Sequence, residues 1–350
     1  MGNREGRILD RPLIGLTMGD VAGVGPEIAV KALQERSLLS VCRLVVLGDR
    51  SALLNAMERL DARPDLKEVA SMDELQAADE DLLFYALTDD VGRRAPMGRV
   101  SKDAGKASGI YIETAAKLAM EGVIGGVATG PIHKEGLRLA GYPFPGHTEF
   151  FAYLTMAPDY VMMLAGERLR VTLVTIHCPL REAPARLSVE SIYRTMDITY
   201  RGLERDFGIH RPRLAVAGLN PHAGEGGLFG DEEMHIIVPA VEKAREAGMD
   251  ADGPLPPDTV FVKAARGSYD AVVCMYHDQG LIPLKLLHFS DGINVTLGLP
   301  IVRTSVDHGT AYDIAGAGKA DPRSLIQAVK AAALMAENRK KAGFAVHGCR

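Results

Sequence analysis

Residues 269–285 read YDAVVCMYHDQGLIPLK. Tyr269 to Cys274 form a short apolar run of the kind that fills a buried strand. His277 and Asp278 stand just past it, and Lys285 follows seven residues after the aspartate. Open α/β sheets place their chemistry at strand ends, because parallel strands bring their C-terminal ends to one edge. The segment from Met275 to Lys285 therefore reads as a loop that carries function. The reading sets the fold class if other strands in the chain end in the same way.

They do. Leu13–Thr17, Arg43–Gly48, Gly126–Gly130, Val171–Ile176 and Leu214–Leu219 are apolar runs. Helical spacing covers about 26–35, 106–122 and 322–341. Buried strands that alternate with helices imply a parallel or mixed sheet covered on both faces, an α/β fold. The turns after four of these strands read TGPIHK, TIHCPL, GLNPHAGEGG and MYHDQG, each with a histidine just past an apolar run.

Composition excludes several function classes. Apolar residues make up 47% and charged residues 24%, with a net charge of -5. No basic stripe marks a nucleic-acid partner. No apolar run approaches the ~18 residues of a membrane span, and the opening MGNREGRILDRP is too polar for a signal peptide. Met1-Gly2 fails as a myristoylation signal because Gly6 stands where Ser or Thr is required. Cys42, Cys178, Cys274 and Cys349 show no CxxC spacing and read as reduced thiols, so a cytoplasmic protein is expected. On that reading Asn294-Val-Thr296 never meets the glycosylation machinery that its pattern suits.

Four constellations carry chemistry. His177, His222 and His277 at strand ends suit a divalent metal with an open position, although histidines also cap turns. Asp278 beside His277 suits an orienting carboxylate or a base, or a turn cap. GDVAGVGPE (19–27) offers converging amides and a helix N-terminus, but it is not GxGxxG and reads first as a structural turn. In FPGHTEFF (144–151), His147 and Thr148 are ligand donors, or Thr148 is an N-cap. Lys285, Arg303 and Lys134, with Asn294 between, are loop cations suited to phosphate or carboxylate, against a background of ordinary surface charge.

The stretch HGTAYDIAGAGKADP (308–322) resembles the adenosine-binding loop of isocitrate and isopropylmalate dehydrogenases, which bind NAD(P) without a Rossmann fingerprint. With it, GDVAGVGPE, TGPIHK, FPGHTEFF, NPHAGEGGLFGDEE, GPLPPDTVF, YHDQGLIPLK and NVTLGLPIVRTSVDHGTA occur in the order seen in the 4-hydroxythreonine-4-phosphate dehydrogenase family. The resemblance runs from about Leu13 to Ala336.

The resemblance implies a two-lobed, isocitrate/isopropylmalate dehydrogenase-like fold with mixed sheets, helices on their faces and an active-site cleft between lobes. Residues 1–140 with 310–350 would form one lobe and 141–309 the other. The latter lobe would carry the metal site and the dimer interface. It implies one divalent metal (zinc, cobalt, nickel, magnesium or manganese) on His177, His222 and His277. Substrate contacts would be His147, Thr148, Lys285, Asn294 and Arg303, and Asp278, Lys285 and Asp258 are the candidates for catalysis. NAD or NADP would lie along His308, Gly309, Thr310, Ala311 and Asp313. In the family the third histidine comes from the partner subunit of a homodimer, so His277, Asp278 and Lys285 would serve a neighbour's site.

The implied reaction oxidises a secondary hydroxyl of a small phosphorylated hydroxy acid, and the β-keto acid then loses carbon dioxide. Two departures stand out. Val21 replaces the usual proline of GDPAGxGPE, and His133 replaces the common asparagine of GP(I/V)NK. The block LIPLKLLHF is closer to a second branch, which acts on 4-phosphorylated threonate or erythronate. A metal-dependent hydrolase would share the three histidines but has no use for an adenosine loop. A non-catalytic sugar-phosphate binder has no use for the full set of histidines and aspartates.

Overall fold

The computed structural model describes residues 11–343. The readings placed on the N-terminal ten residues and on Cys349 lie outside them. Twelve strands are numbered β1 to β12 along the described chain, and they fall into two units. The division runs at Pro158/Asp159 and Gly298/Leu299, whereas the sequence reading put it at 140/141 and 309/310.

The first unit holds β1 (Leu13–Thr17), β2 (Arg43–Asp49), β3 (Lys67–Val69), β4 (Leu82–Thr88), β5 (Gly126–Thr129) and β12 (Arg303–Val306). Their order is β3-β4-β2-β1-β5-β12, and every pairing is parallel. All seven residues of β2 are buried, as a sheet covered on both faces requires. Helix Lys102–Met120 packs on this sheet and on helix His147–Leu154. That packing, with the pairing of β12 to β5, places FPGHTEFF and Arg303 in the first unit.

The second unit holds β6 (Val161–Ala165), β7 (Arg170–Leu173), β8 (Arg213–Ala217), β9 (Asp250–Leu255), β10 (Ala271–Cys274) and β11 (Ile293–Leu297). The order is β11-β6-β7-β10-β8-β9. β11, β6 and β7 run antiparallel, while β7, β10, β8 and β9 run parallel. A continuous core joins Leu164, Val171, Leu173, Ala215, Val272, Cys274 and Leu284.

Three local expectations change. Residues 277–288 form a helix rather than a loop. Leu281 and Leu284 bury themselves in the core and hold that helix on the sheet despite Gly280 and Pro283. Gly146, not Thr148, holds the N-cap position of helix His147–Leu154. Arg303 and Asn294 lie within β12 and β11 rather than in loops. No helix among the described residues is long and apolar enough to cross a membrane.

Candidate active site

The three predicted metal histidines follow three neighbouring strands. β7 leads to His177, β10 to His277 and β8 to His222, and β10 pairs in parallel with both of the others. Their exits therefore share one edge of the second unit's sheet. The His177 and His277 rings lie 5.7 Å apart between centroids, with their planes at 43°. His277 shares a 2.7 Å hydrogen bond between its Nδ1 and Asp278 Oδ1. A carboxylate there fixes the tautomer and leaves Nε2 as the lone-pair nitrogen, as metal-binding imidazoles require.

His222 stands apart in its local structure. It opens a run of five left-handed residues from His222 to Gly226, and His177 is left-handed as well, at φ 44°. Non-glycine residues in this region cost about 1–3 kcal/mol and gather at functional sites. Among the described residues no group of three His, Cys, Asp or Glu side chains closes into a metal-competent set. Two imidazoles on adjacent strand ends, one backed by a carboxylate, nevertheless fit a divalent ion by donor chemistry.

The strained turn is held by residues that the sequence reading passed over. Buried Glu233 accepts the Asn220 backbone N–H at 2.7 Å and its side-chain amide at 2.9 Å. Gln279 accepts the Met275 N–H at 2.7 Å and donates to the Gly218 carbonyl at 2.7 Å. It therefore ties the approach to His277 to the approach to His222. The signal was present in HDQG and NPH…DEE as polar residues beside the histidines, but the bond that joins the two segments spans 61 residues, from Gln279 to Gly218.

Asp258 is exposed in the first turn of helix Pro257–Ala265, which packs on the loop of His222. Asp278 and Lys285, seven residues apart on helix His277–His288, share a face. That face is exposed and apolar, with Ile282, Leu286 and Phe289 at 67%, 84% and 83% exposure. Asn294 pairs with Leu164 in the antiparallel part of the sheet.

In the first unit, Arg303 is buried and donates from Nη2 to Thr129 Oγ1 at 3.0 Å. Burial pushes its guanidinium down to about 9, which still leaves it charged at neutral pH. Nε2 of His147 is buried without a hydrogen-bond partner. Burial, and then Arg303, hold that imidazole well below its usual pKa, so it stays neutral. Thr148 is buried beside it. A fixed cation with a neutral imidazole suits an anionic group.

The 308–322 loop is held by the GDVAGVGPE segment. The Val24 N–H donates to the Thr310 carbonyl at 3.0 Å. A Cβ on Gly23 would come within 2.9 Å of the Thr310 Cβ, so this glycine serves close approach. Glu27 accepts the Gly318 and Ala320 N–H groups, while Lys31 donates to both of their carbonyls. Tyr312 donates to Asp20 at 2.8 Å, and His133 stacks on its ring at 5.2 Å and 12°. The glycine turn thus serves as a structural dock for this loop. The loop with His308, Gly309, Thr310, Ala311 and Asp313 is preformed, which fits a nucleotide cofactor.

Comparison with known proteins follows the same lines. The chain is 52% identical over 329 residues to "4-hydroxythreonine-4-phosphate dehydrogenase" of Desulforapulum autotrophicum, covering 93% of this chain and 96% of that protein. It is 45% identical over 331 residues to "D-threonate 4-phosphate dehydrogenase" of Cupriavidus necator, covering 94% and 98%. The crystal structure of 4-hydroxythreonine-4-phosphate dehydrogenase from Klebsiella pneumoniae superposes with a TM-score of 0.84 at 43% identity, covering 93% of this chain and 98% of that one. Residues 40–332 match the sequence model of the pyridoxal phosphate biosynthetic protein PdxA, and the chain belongs to the PdxA family.

Proposed function

We propose that the protein is a metal-dependent, NAD(P)-linked dehydrogenase of the 4-hydroxythreonine-4-phosphate type. It oxidises the secondary hydroxyl of a 4-phosphorylated hydroxy acid, and the resulting β-keto acid loses carbon dioxide. The observation that carries this reading is the delivery of His177, His277 and His222 by three adjacent parallel strands, with the first two rings side by side. A divalent ion on these imidazoles (zinc, cobalt, nickel, magnesium or manganese) supplies Lewis acidity toward a hydroxyl and a neighbouring carboxylate. The nicotinamide of NAD or NADP, bound along the loop from His308, supplies the hydride acceptor.

The remaining chemistry belongs to side chains. Asp278 orients His277, and Asp278, Lys285 and Asp258 are the candidates to move protons. The charged Arg303, the neutral His147 and Thr148 suit an anionic substrate group, with Lys285 and Asn294 as further contacts. The exposed apolar face that carries Asp278 and Lys285 suits a second copy of the chain, which supports a homodimer with a shared active site. Free thiols at Cys42, Cys178 and Cys274 suit the reducing cytoplasm.

A second reading is oxidation of 4-phospho-D-threonate or D-erythronate. It is favoured by the helix sequence LIPLKLLHF and by the 45% identity to the relative named D-threonate 4-phosphate dehydrogenase. The test follows NAD(P)H absorbance with added divalent metal on 4-hydroxythreonine 4-phosphate, 4-phospho-D-threonate and 4-phospho-D-erythronate. Turnover of the amino acid is expected. Turnover of the sugar acids alone would establish the second reading, and silence on all three would overturn both.

A further inference from the structure

We propose that Arg59 binds the 2′-phosphate of NADP, so that this chain favours the 2′-phosphorylated nucleotide over its unphosphorylated counterpart. The inference rests on the reading of the 308–322 loop as the cofactor site and names a specificity residue within it. A cavity in the first unit is lined on one side by Gly316 and Gly318 of that loop. Val21 and Gly23 of the dock line another side, and Asn55, Ala56, Arg59, Leu60 and Met97 are among the rest. Arg59 is the last residue of helix Arg50–Arg59. Its guanidinium lies directly against the loop, because a Cβ on Gly316 would collide with it.

The charges of this cavity are unequal in their commitments. Glu27 is its carboxylate, and it is already used by Lys31 and by the Gly318 and Ala320 N–H groups. Arg59 is its cation, and it forms no hydrogen bond or ion pair among the described residues. Arg50, at the other end of the same helix, is paired with both Glu68 and Asp89. The uncommitted guanidinium is exposed, whereas the rest of the lining is glycine and apolar side chains together with Glu27 and Asn55. The cavity lies along the 308–322 loop, and a fork of N–H donors there suits a phosphate on the ribose of a nucleotide held by that loop. The cofactor's adenosine end carries such a phosphate only in NADP, and arginine is the usual residue that accommodates it.

The test compares wild type with Arg59→Gln, an exposed substitution that leaves the core untouched. Calorimetry would measure 5′-AMP and 2′,5′-ADP binding to the metal-loaded dimer, and initial rates would give KM for NAD and NADP. Wild type should bind 2′,5′-ADP about tenfold tighter than AMP, the size of one charge-assisted contact. Arg59→Gln should erase that difference and raise KM for NADP while leaving KM for NAD unchanged. Equal loss for both cofactors would assign Arg59 to a phosphate common to them and overturn the proposal. An unchanged preference in the variant, with both cofactors still working, would overturn it while leaving the cofactor site standing. Absence of binding and turnover with either nucleotide would overturn the cofactor site itself, and the proposal with it.

Discussion

Tyr312 donates its hydroxyl to Oδ2 of Asp20 at 2.8 Å, joining residues 292 positions apart. Asp20 is fully buried. Burial raises its pKa, while Tyr312 and the Ala22 N–H counteract that rise. The stack of His133 on Tyr312 fixes the ring from its face. One aspartate from the first strand's turn therefore sets the position of a loop near the other end of the chain.

Tyr312→Phe keeps the stack and removes the hydrogen bond, leaving a buried carboxylate with one partner fewer. A hydrogen bond to a charged group contributes about 1.5–3 kcal/mol. We predict that KM for the nicotinamide cofactor rises about tenfold or more, with kcat and the phosphorylated substrate's KM little changed. Steady-state kinetics with each substrate varied in turn would show it. A fall in kcat with cofactor KM unchanged would refute a positioning role.

Gln279 bridges the Met275 N–H and the Gly218 carbonyl, and so couples the His277 and His222 segments. Gln279→Leu fills similar space and leaves both backbone groups unpaired. Residues that orient metal ligands typically affect affinity by about 10–100-fold. Competition with a chelator should reveal a loss of that order in the variant. An unchanged metal affinity would separate Gln279 from the metal site.

Much of this arrangement was readable because β7, β8 and β10 are plain apolar runs with a histidine just past each. Other parts were hidden for physical reasons. The helix from His277 looked like a loop because Gly280 and Pro283 resemble punctuation. A Cβ on Gly280, however, would press within 3.0 Å of Cys274 Sγ and Leu173 Cδ2, so this glycine serves packing. Arg303 read as a loop cation because a buried guanidinium inside a strand is tolerated only with distant partners, here Thr129, which lies 174 residues away. The strands VMMLA, INVTL and RTSV carry too few residues and too little alternation to declare themselves. The dock between GDVAGVGPE and the 308–322 loop has no sequence period at all, since it is built from single long-range hydrogen bonds.

Leu286 and Phe289 expose most of their surface on the face of the helix that also presents Asp278 and Lys285. Leu286→Glu places a charge in that face while leaving the buried Leu281 and Leu284 in the core. The prediction is a shift from dimer to monomer in light scattering, together with loss of turnover by the second unit's residues. A variant that stays dimeric with full activity would place the interface elsewhere.

His147 gives a prediction about pH. Its imidazole is held neutral in the folded chain, far below the ordinary value of 6.5, by burial and then by Arg303. Above pH 6.5 neither the folded nor the unfolded chain protonates it, and it contributes no pH dependence. Below that value the unfolded chain takes up a proton that the folded chain refuses, so stability is lost as pH falls. The slope reaches about 1.4 kcal/mol per pH unit for a single group. His147→Asn cannot titrate, so unfolding by urea measured from pH 7.5 to 5.0 should show a flatter decline in the variant, whatever its absolute stability. Identical slopes in the two proteins would mean that His147 is protonated in the folded chain, and the neutral partner assigned to Arg303 would be lost.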